Sequence, residues 1–358
     1  MKKQKDAKKK ILVFGYHRCN LGDDLFIYIV SKRYPNMEFY LYVHDEDDRR
    51  PFKSLKNVKI IPDYRNTDSI NPDDYDGYTY IGGSVFIESE YSTREAKEIS
   101  ELLDKLKKAN KPFFYITCNF GPCKTKKYKE TIKNNLKKCT DVCFRGKSSY
   151  NEFKDLDTVR FAPDIVFSHD YSNLASKKEK KTAGITVINI ENREALRDKA
   201  DIYYDYIKRI VCMFAKRGYK ISLISFCKHE GDEQAIEKVK GMIPEEYANN
   251  VDLLIYSGDV EKFLREYSKI EYMVCTRFHA MILSLIFRQK IYNLIYSDKS
   301  KEPLEDFNIR LKTDEIKDIS YETVLRTFYF RKICNFKLSK LKKESQKQFE
   351  AFEEYYKE

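Results

Sequence analysis

Three side chains late in the sequence have the types and spacing to handle an anion: Arg277, His279 and Lys299. Arginine is a fixed cation, histidine titrates near neutral pH, and lysine adds a compact second charge. The surrounding stretch shows how they could meet. Ile270 to Cys275 is an apolar run broken only by Glu271, with the length of a buried strand. Thr276, Arg277 and His279 form a polar corner, Ala280 to Phe287 continue as an apolar helix, and Lys290 to Tyr296 read as a second strand leading to Lys299. Strand, corner, helix and strand make one right-handed crossover of a parallel sheet. Ligands of such sheets bind beyond the carboxyl ends of the strands, where the helix start also offers free N–H groups to an anion. The expectation is an anion-handling active site. An isolated R-x-H would read more simply as a helix-start histidine capping nearby backbone.

The elements that must position this corner repeat the same layout twice. Lys10 to Gly15 reads as a first strand, followed by the loop YHRCNLGDD and a helix from Asp23 to about Arg33. Glu38–Val43, Val58–Pro62, Tyr78–Gly82, Pro112–Thr117, Asp141–Phe144 and Ile165–Phe167 read as further strands. Helices are expected over Ala96–Ala109, with Ile99, Leu102, Leu103 and Leu106 on one face, and over about Lys127–Lys138. After a polar stretch ending in SKKEKKT the alternation restarts: strand Gly184–Ile190, helix Tyr203–Lys216, strand Lys220–Phe226, helix Asp232–Met242 and strand Asp252–Ile255. Asp259 has N-cap character for a helix through Tyr267. The fold class is therefore α/β, with two Rossmann-like doubly wound domains facing across a cleft. The expected division is a basic tail at 1–10, a first domain at 11–172, a linker at 173–183, a second domain at 184–320 and a helical, amphipathic segment at 321–358 that can cross back to the first domain.

Composition narrows the function classes. At 358 residues the chain exceeds what one core usually supports, and 42% apolar residues are ample for folded domains. No apolar run reaches the length needed to span a bilayer. The start, MKKQKDAKKK followed by ILVFG, lacks a small-residue cleavage site, so a cytoplasmic protein is expected. The net charge of +11 sits mainly at the ends: residues 1–10 carry +5 and residues 331–358 carry +3, leaving +3 for everything between. Such ends can attract an anionic membrane face or serve as solubilising tails. No basic stripe interleaved with aromatics marks a nucleic-acid surface. Nine cysteines without a C-x-x-C pair read as reduced, mostly structural thiols. His44, His169 and His229 lack metal-ligand spacing, while His17, beside the Asn20 corner, could line the cleft.

In order along the chain stand Asn20-Leu21-Gly22-Asp23-Asp24, Gly82-Gly83-Ser84, Asn119-Phe120-Gly121-Pro122, Arg145 with Ser148 and Ser149, Ala162-Pro163-Asp164, Thr276-Arg277-Phe278-His279-Ala280, and Tyr296 with Lys299. In this order and spacing the chain resembles the polysaccharide pyruvyl transferase family from about Ile11 to Ile319. Each motif alone is weak; their joint arrangement is specific. Two departures stand out: Ser84 replaces a third glycine, and Gly146 follows Arg145 where the family commonly has Asp, so no carboxylate role is carried over there.

The resemblance implies transfer of the enolpyruvyl unit of phosphoenolpyruvate onto two hydroxyls of one sugar, giving a pyruvate ketal on a polysaccharide unit or its lipid-linked precursor. Arg277, with Thr276, would clasp the donor's anionic groups and Lys299 would support it. His279 would protonate the vinyl carbon. Asn20, Gly22, Asp23, Gly82, Gly83, Ser84, Asn119 and Arg145 would receive the acceptor in the first domain. No cofactor is implied beyond the co-substrate. A divalent ion aiding the phosphate is compatible but unsupported, and oligomeric state is left open. Two other readings share the scaffold. A nucleotide-sugar glycosyltransferase would need ribose contacts, for which Glu230 or Asp232 would have to serve. A non-catalytic carbohydrate-binding relative would not need Arg277, His279 and Lys299 together. Thermal shifts with phosphoenolpyruvate against nucleotide-sugars, and a pyruvylation assay, discriminate among the three.

Overall fold

The structure, a computed structural model, describes residues 8–61, 67–297, 301–322 and 337–357. Two compact units emerge. Unit 1 comprises residues 1–18, 23–168 and 340–358, and unit 2 comprises residues 19–22 and 169–339.

Unit 1 is built on β1 (Lys10–Phe14), α1 (Leu21–Arg33), β2 (Glu38–Tyr42), β3 (Val58–Ile61), β4 (Gly77–Ile81), α2 (Glu90–Lys108), β5 (Phe113–Cys118), α3 (Lys126–Leu136), β6 (Asp141–Phe144), α4 (Lys147–Phe153) and β7 (Val159–Phe161). Its seven strands lie in the order β3-β2-β1-β4-β5-β6-β7, every pair parallel. The central strands are continuous apolar runs because both faces are covered. Phe113 and Tyr115 of β5, for example, pack with Ile99, Leu102, Leu103 and Leu106 of α2. Helix α2 starts earlier than its apolar periodicity suggests, because Ser89 and Ser92 cap it reciprocally.

Unit 2 repeats the plan with β8 (Thr182–Thr186), α5 (Ala200–Ala215), β9 (Lys220–Ser225), α6 (Asp232–Gly241), α7 (Glu245–Ala248), β10 (Val251–Ile255), α8 (Val260–Lys269), β11 (Tyr272–Cys275), α9 (Phe278–Ile286), β12 (Lys290–Ile295), α10 (Glu302–Asp306) and β13 (Lys312–Glu315). The order β10-β9-β8-β11-β12-β13, again all parallel, is that of a Rossmann sheet. Helix α9 is apolar on every side and Ala280 to Ile286 are buried throughout, as its composition demands. Asp259 caps α8 by accepting from the Lys262 N–H at 2.9 Å.

The expected two doubly wound domains are present, with local corrections. Ile165–Ser168 is a 3-10 turn, not a strand. β7 and β13 extend the two sheets beyond the strands read from sequence; one is three residues long and the other, Lys-Thr-Asp-Glu, is polar. The residues read as a linker run against α8, where the Ser176 N–H donates to Ser268 Oγ at 2.9 Å and the Glu179 N–H to Lys269 O at 2.8 Å. Residues 1–7, 62–66, 298–300 and 323–336, which include most of the basic tail, Pro62 and Lys299, lie outside the described residues.

Two helices, α11 (Leu338–Ser345) and α12 (Glu350–Tyr355), close the chain. Between them Gln348 is fully buried and stitches unit 1. It accepts from the Thr117 N–H at 2.8 Å and donates to Ala162 O at 2.6 Å. Thr117 is a β-branched residue at φ 59°, an unfavourable conformation held by this bond and by the Ile165 N–H donating to its hydroxyl. Gln348→Ala is expected to lower the stability of unit 1 by about 1–3 kcal/mol, since it orphans a buried N–H and a buried carbonyl. Urea unfolding followed in that unit checks it, and an unchanged midpoint would contradict it.

Candidate active site

The corner carrying Arg277 and His279 lies where the strand order of unit 2 reverses, between β8 and β11, the position at which doubly wound sheets bind ligands. Arg277 directly precedes α9 and is 7% exposed. Its guanidinium is held by two carboxylates. Nε donates to Asp232 Oδ2 at 2.7 Å, Nη2 donates to Asp232 Oδ1, and Nη1 donates to Glu230 Oε2 at 3.0 Å. Asp232 also accepts from the N–H groups of Phe226 and Cys227 at 2.9 and 3.1 Å. Glu230 is shared with Arg193 Nη2 at 3.1 Å and Asn20 Nδ2 at 3.0 Å. Arg193 in turn stands over the Tyr296 ring, 4.2 Å from its centroid.

This network is charge-balanced, two arginines against two carboxylates. Burial works against the Arg277 charge, but Asp232 and Glu230 more than offset it and hold its pKa well above the ordinary value. Burial likewise opposes the Glu230 carboxylate, yet Arg277 and Arg193 together keep its pKa below the usual range. For Asp232 burial dominates and raises the pKa against the pull of Arg277 and two N–H donors. The two cations of the sequence reading are thus reduced, among the described residues, to one arginine already paired. Thr276 is buried and binds β8, its hydroxyl donating to Thr186 O at 2.8 Å.

Asn20 and Gly22 fall in unit 2, not with the first-domain acceptor residues. The Leu21 N–H donates to Phe226 O at 3.0 Å, and Asn20 pairs with Cys227 beyond the end of β9. Asn20 caps α1 by accepting from the Gly22 N–H at 3.0 Å. Gly22 backs onto His279: a Cβ there would stand 2.0 Å from His279 Nδ1. His279 itself is partly exposed. Gly22→Ala is expected to leave the helix at least as stable but to push the imidazole aside. A displacement near 1 Å costs about a hundredfold in rate. Turnover with thermal unfolding as control checks this; full activity would contradict it.

The other candidates gather in unit 1 beyond β4, β5 and β6. Gly82 and Gly83 follow β4, with Ser84 exposed at the turn. The Asn119 N–H donates to Gly83 O at 2.7 Å, and any Cβ at Gly83 would stand 2.3 Å from Arg145 Nη2. Arg145 donates to Asp164 at 2.6 Å, both side chains buried. This is an ion pair inside unit 1. Asp23 belongs to unit 1 in the first turn of α1. Among the described residues no group of three or more His, Cys, Asp or Glu could hold a metal ion, and no helix is long and apolar enough to cross a membrane.

The family model for polysaccharide pyruvyl transferase matches residues 20–298, taking in all strands but β1 and β13 and the whole Arg277 network. The chain belongs to the polysaccharide pyruvyl transferase family. Membership places this pyruvyl transferase relative among transferases that act on polysaccharide. No curated protein matches it. Among solved structures it is similar to the UDP-GlcNAc 2-epimerase of Methanocaldococcus jannaschii, with 9% identity and a TM-score of 0.54, covering 96% of this chain and 99% of that one. A putative UDP-N-acetylglucosamine 2-epimerase from Listeria monocytogenes gives 11% identity and a TM-score of 0.53, covering 87% and 86%. Anabaena Alr3699/HepE in complex with UDP and glucose gives 10% identity and a TM-score of 0.50, covering 96% of each chain. At such identities the likeness is one of fold, and it agrees with the twin Rossmann-like sheets of this family member.

Sequence reasoning missed Arg193 and treated Glu230 and Asp232 only as candidate ribose contacts. The missing signal is strand order. Glu230 and Asp232 follow β9 and Arg277 follows β11, with only β8 between these strands in the sheet.

Proposed function

We propose that this chain moves the enolpyruvyl unit of phosphoenolpyruvate onto two hydroxyls of a sugar in a cell-surface polysaccharide or its lipid-linked precursor. His279 donates a proton to C3 of the donor, building oxocarbenium character at C2. One hydroxyl adds to C2, inorganic phosphate departs, and the second hydroxyl closes the ketal. Of the two hydroxyl protons, one replaces the proton given to C3 and the other leaves with phosphate. The family match over the Arg277–His279 corner carries this reading. Occupation of Glu230 and Asp232 by Arg277, Arg193 and Asn20 counts against their use as ribose contacts for a nucleotide-sugar.

In this reading Asp232 fixes the Arg277 fork, and the donor's carboxylate takes the place of Glu230 on Nη1, with Thr276 and Lys299 supporting. Asn20 and Gly22 shape the donor side, while Asp23, Gly82, Gly83, Ser84, Asn119 and Arg145 belong to the acceptor side. The basic ends would bring the enzyme to the inner face of a membrane that carries a lipid-linked acceptor. Glu230→Gln removes one negative charge from the network, so phosphoenolpyruvate should bind about tenfold tighter by calorimetry. Unchanged or weaker binding would oppose the exchange. The activity itself is tested by incubating the enzyme with phosphoenolpyruvate and a panel of methyl glycosides. Phosphate release with a ketal-bearing product supports it; transfer from nucleotide-sugars alone would refute it.

A further inference from the structure

The sheet of unit 2 ends on one side in β10 and on the other in β13. The two edges are built differently. β13 reads Lys-Thr-Asp-Glu, and so charged an edge does not invite another strand. β10 reads Val-Asp-Leu-Leu-Ile. Its Leu253 is 43% exposed, the only strand residue among the large apolar side chains that the described residues leave exposed.

The β10 backbone is open in a regular way. It runs parallel to β9, with Val251 beside Ile221 and Ile255 beside Ser225. The Ile221 N–H donates to Asn250 O at 2.7 Å and the Tyr256 N–H to Ser225 O at 3.1 Å, which brackets the ladder. Main-chain groups alternate in direction along a strand, so residues 250, 252, 254 and 256 turn theirs toward β9. Val251, Leu253 and Ile255 therefore turn their N–H and C=O groups outward, where no described residue bonds to them. The side chains alternate too. Val251 and Ile255 pack on the core that holds Ile236 and Val239 of α6, and Leu253 shares their face. Asp252 and Leu254 lie on the other face, where Tyr256 meets Phe263 of α8, ring centroids 5.6 Å apart.

An antiparallel strand of the same sequence, centred on Leu253, satisfies all the outward groups. Leu253 then faces its own copy and Val251 faces the partner's Ile255, each as a hydrogen-bonded pair exchanging two bonds. The α6 face of the seam is entirely apolar. The lone charge, Asp252, stands on the α8 face beside the partner's Leu254. The seam is also large enough. Five residues span about 17 Å of edge, and helix, sheet and helix together are about 30 Å thick. That gives about 500 Å² per copy, or roughly 1,000 Å² in all, which reaches the lower bound for a specific interface.

We infer that two copies of this chain pair antiparallel through β10 about a two-fold axis at Leu253, joining their two six-stranded sheets into one. A two-fold contact of this kind uses each edge once and closes at the dimer. Turnover plays no part in the pairing, which is independent of the transferase chemistry. The test is sedimentation velocity on the full chain over a concentration series, with three variants. Wild type should show a monomer–dimer equilibrium. Leu253→Lys sets a charge against its own copy and should weaken association at least tenfold. Its melting transition should not move, because the side chain is already half in water. Leu253→Cys should give a disulfide-linked dimer on oxidation, since the paired Cα atoms stand about 5.5 Å apart. Asp252→Cys should not, since its copy lies on the diagonal, about 7–8 Å away. A wild type that stays monomeric, whatever else then covers β10, would overturn the inference. So would an open polymer, a dimer indifferent to Leu253→Lys, or cross-linking that fails at position 253 or is as efficient at 252.

Discussion

His279→Ala should lower pyruvylation by about a hundred- to ten-thousandfold, the range over which a positioned general acid contributes. Phosphoenolpyruvate binding should survive, because the anion contacts proposed for Arg277 do not pass through the imidazole. The split is informative: lost turnover with retained binding separates a proton donor from a residue that merely shapes the site. Rapid-quench turnover and calorimetric titration on the same preparation measure both halves. Near-normal turnover would remove His279 from the chemistry. Equal loss of binding and turnover would reassign it to holding the donor.

Asp232→Ala is expected to destabilise unit 2 by about 3–5 kcal/mol, the range for removing one partner of a buried ion pair. The reason is local. Asp232 is fully buried, binds two guanidinium nitrogens and accepts from two backbone N–H groups. Its removal leaves the buried Arg277 charge to Glu230 alone and strands both N–H donors. In a unit of this size that amounts to roughly 10 °C in the melting transition. Asp232→Asn, which keeps a carbonyl for the N–H groups, should cost less. Calorimetry of the unit 2 transition decides it, and a shift of only a degree or two for the alanine variant would show that Arg277 does not depend on this carboxylate.

Much of this fold could be read from the chain because parallel strands covered on both faces are written as short apolar runs. Ile11 to Phe14 and Met273 to Cys275 are buried to within a few per cent and were legible for that reason. What escaped was short or polar, such as Val159–Phe161 and Lys312–Glu315. The N-terminal turn of α2 escaped because its cap pairs Ser89 with Ser92 instead of a glutamate or glutamine.

The candidate site was legible by residue type and only partly by partnership. Arg277 and His279 announce themselves by spacing. That Arg277 meets Asp232 across 45 positions is set by the placing of β9 beside β8 and β8 beside β11, and that Asn20 meets Glu230 across 210 by its pairing with Cys227 beyond β9. Gly22 reads from sequence as part of the acceptor side, and only the fold sets it against His279.

The most direct test is a crystal of the protein soaked with phosphoenolpyruvate. The donor should appear at the carboxyl ends of β8 and β11, its carboxylate on Arg277 in place of Glu230, and C3 within reach of His279. Density for the donor elsewhere, with Arg277 still closed on Glu230 and His279 remote from it, would contradict the assignment.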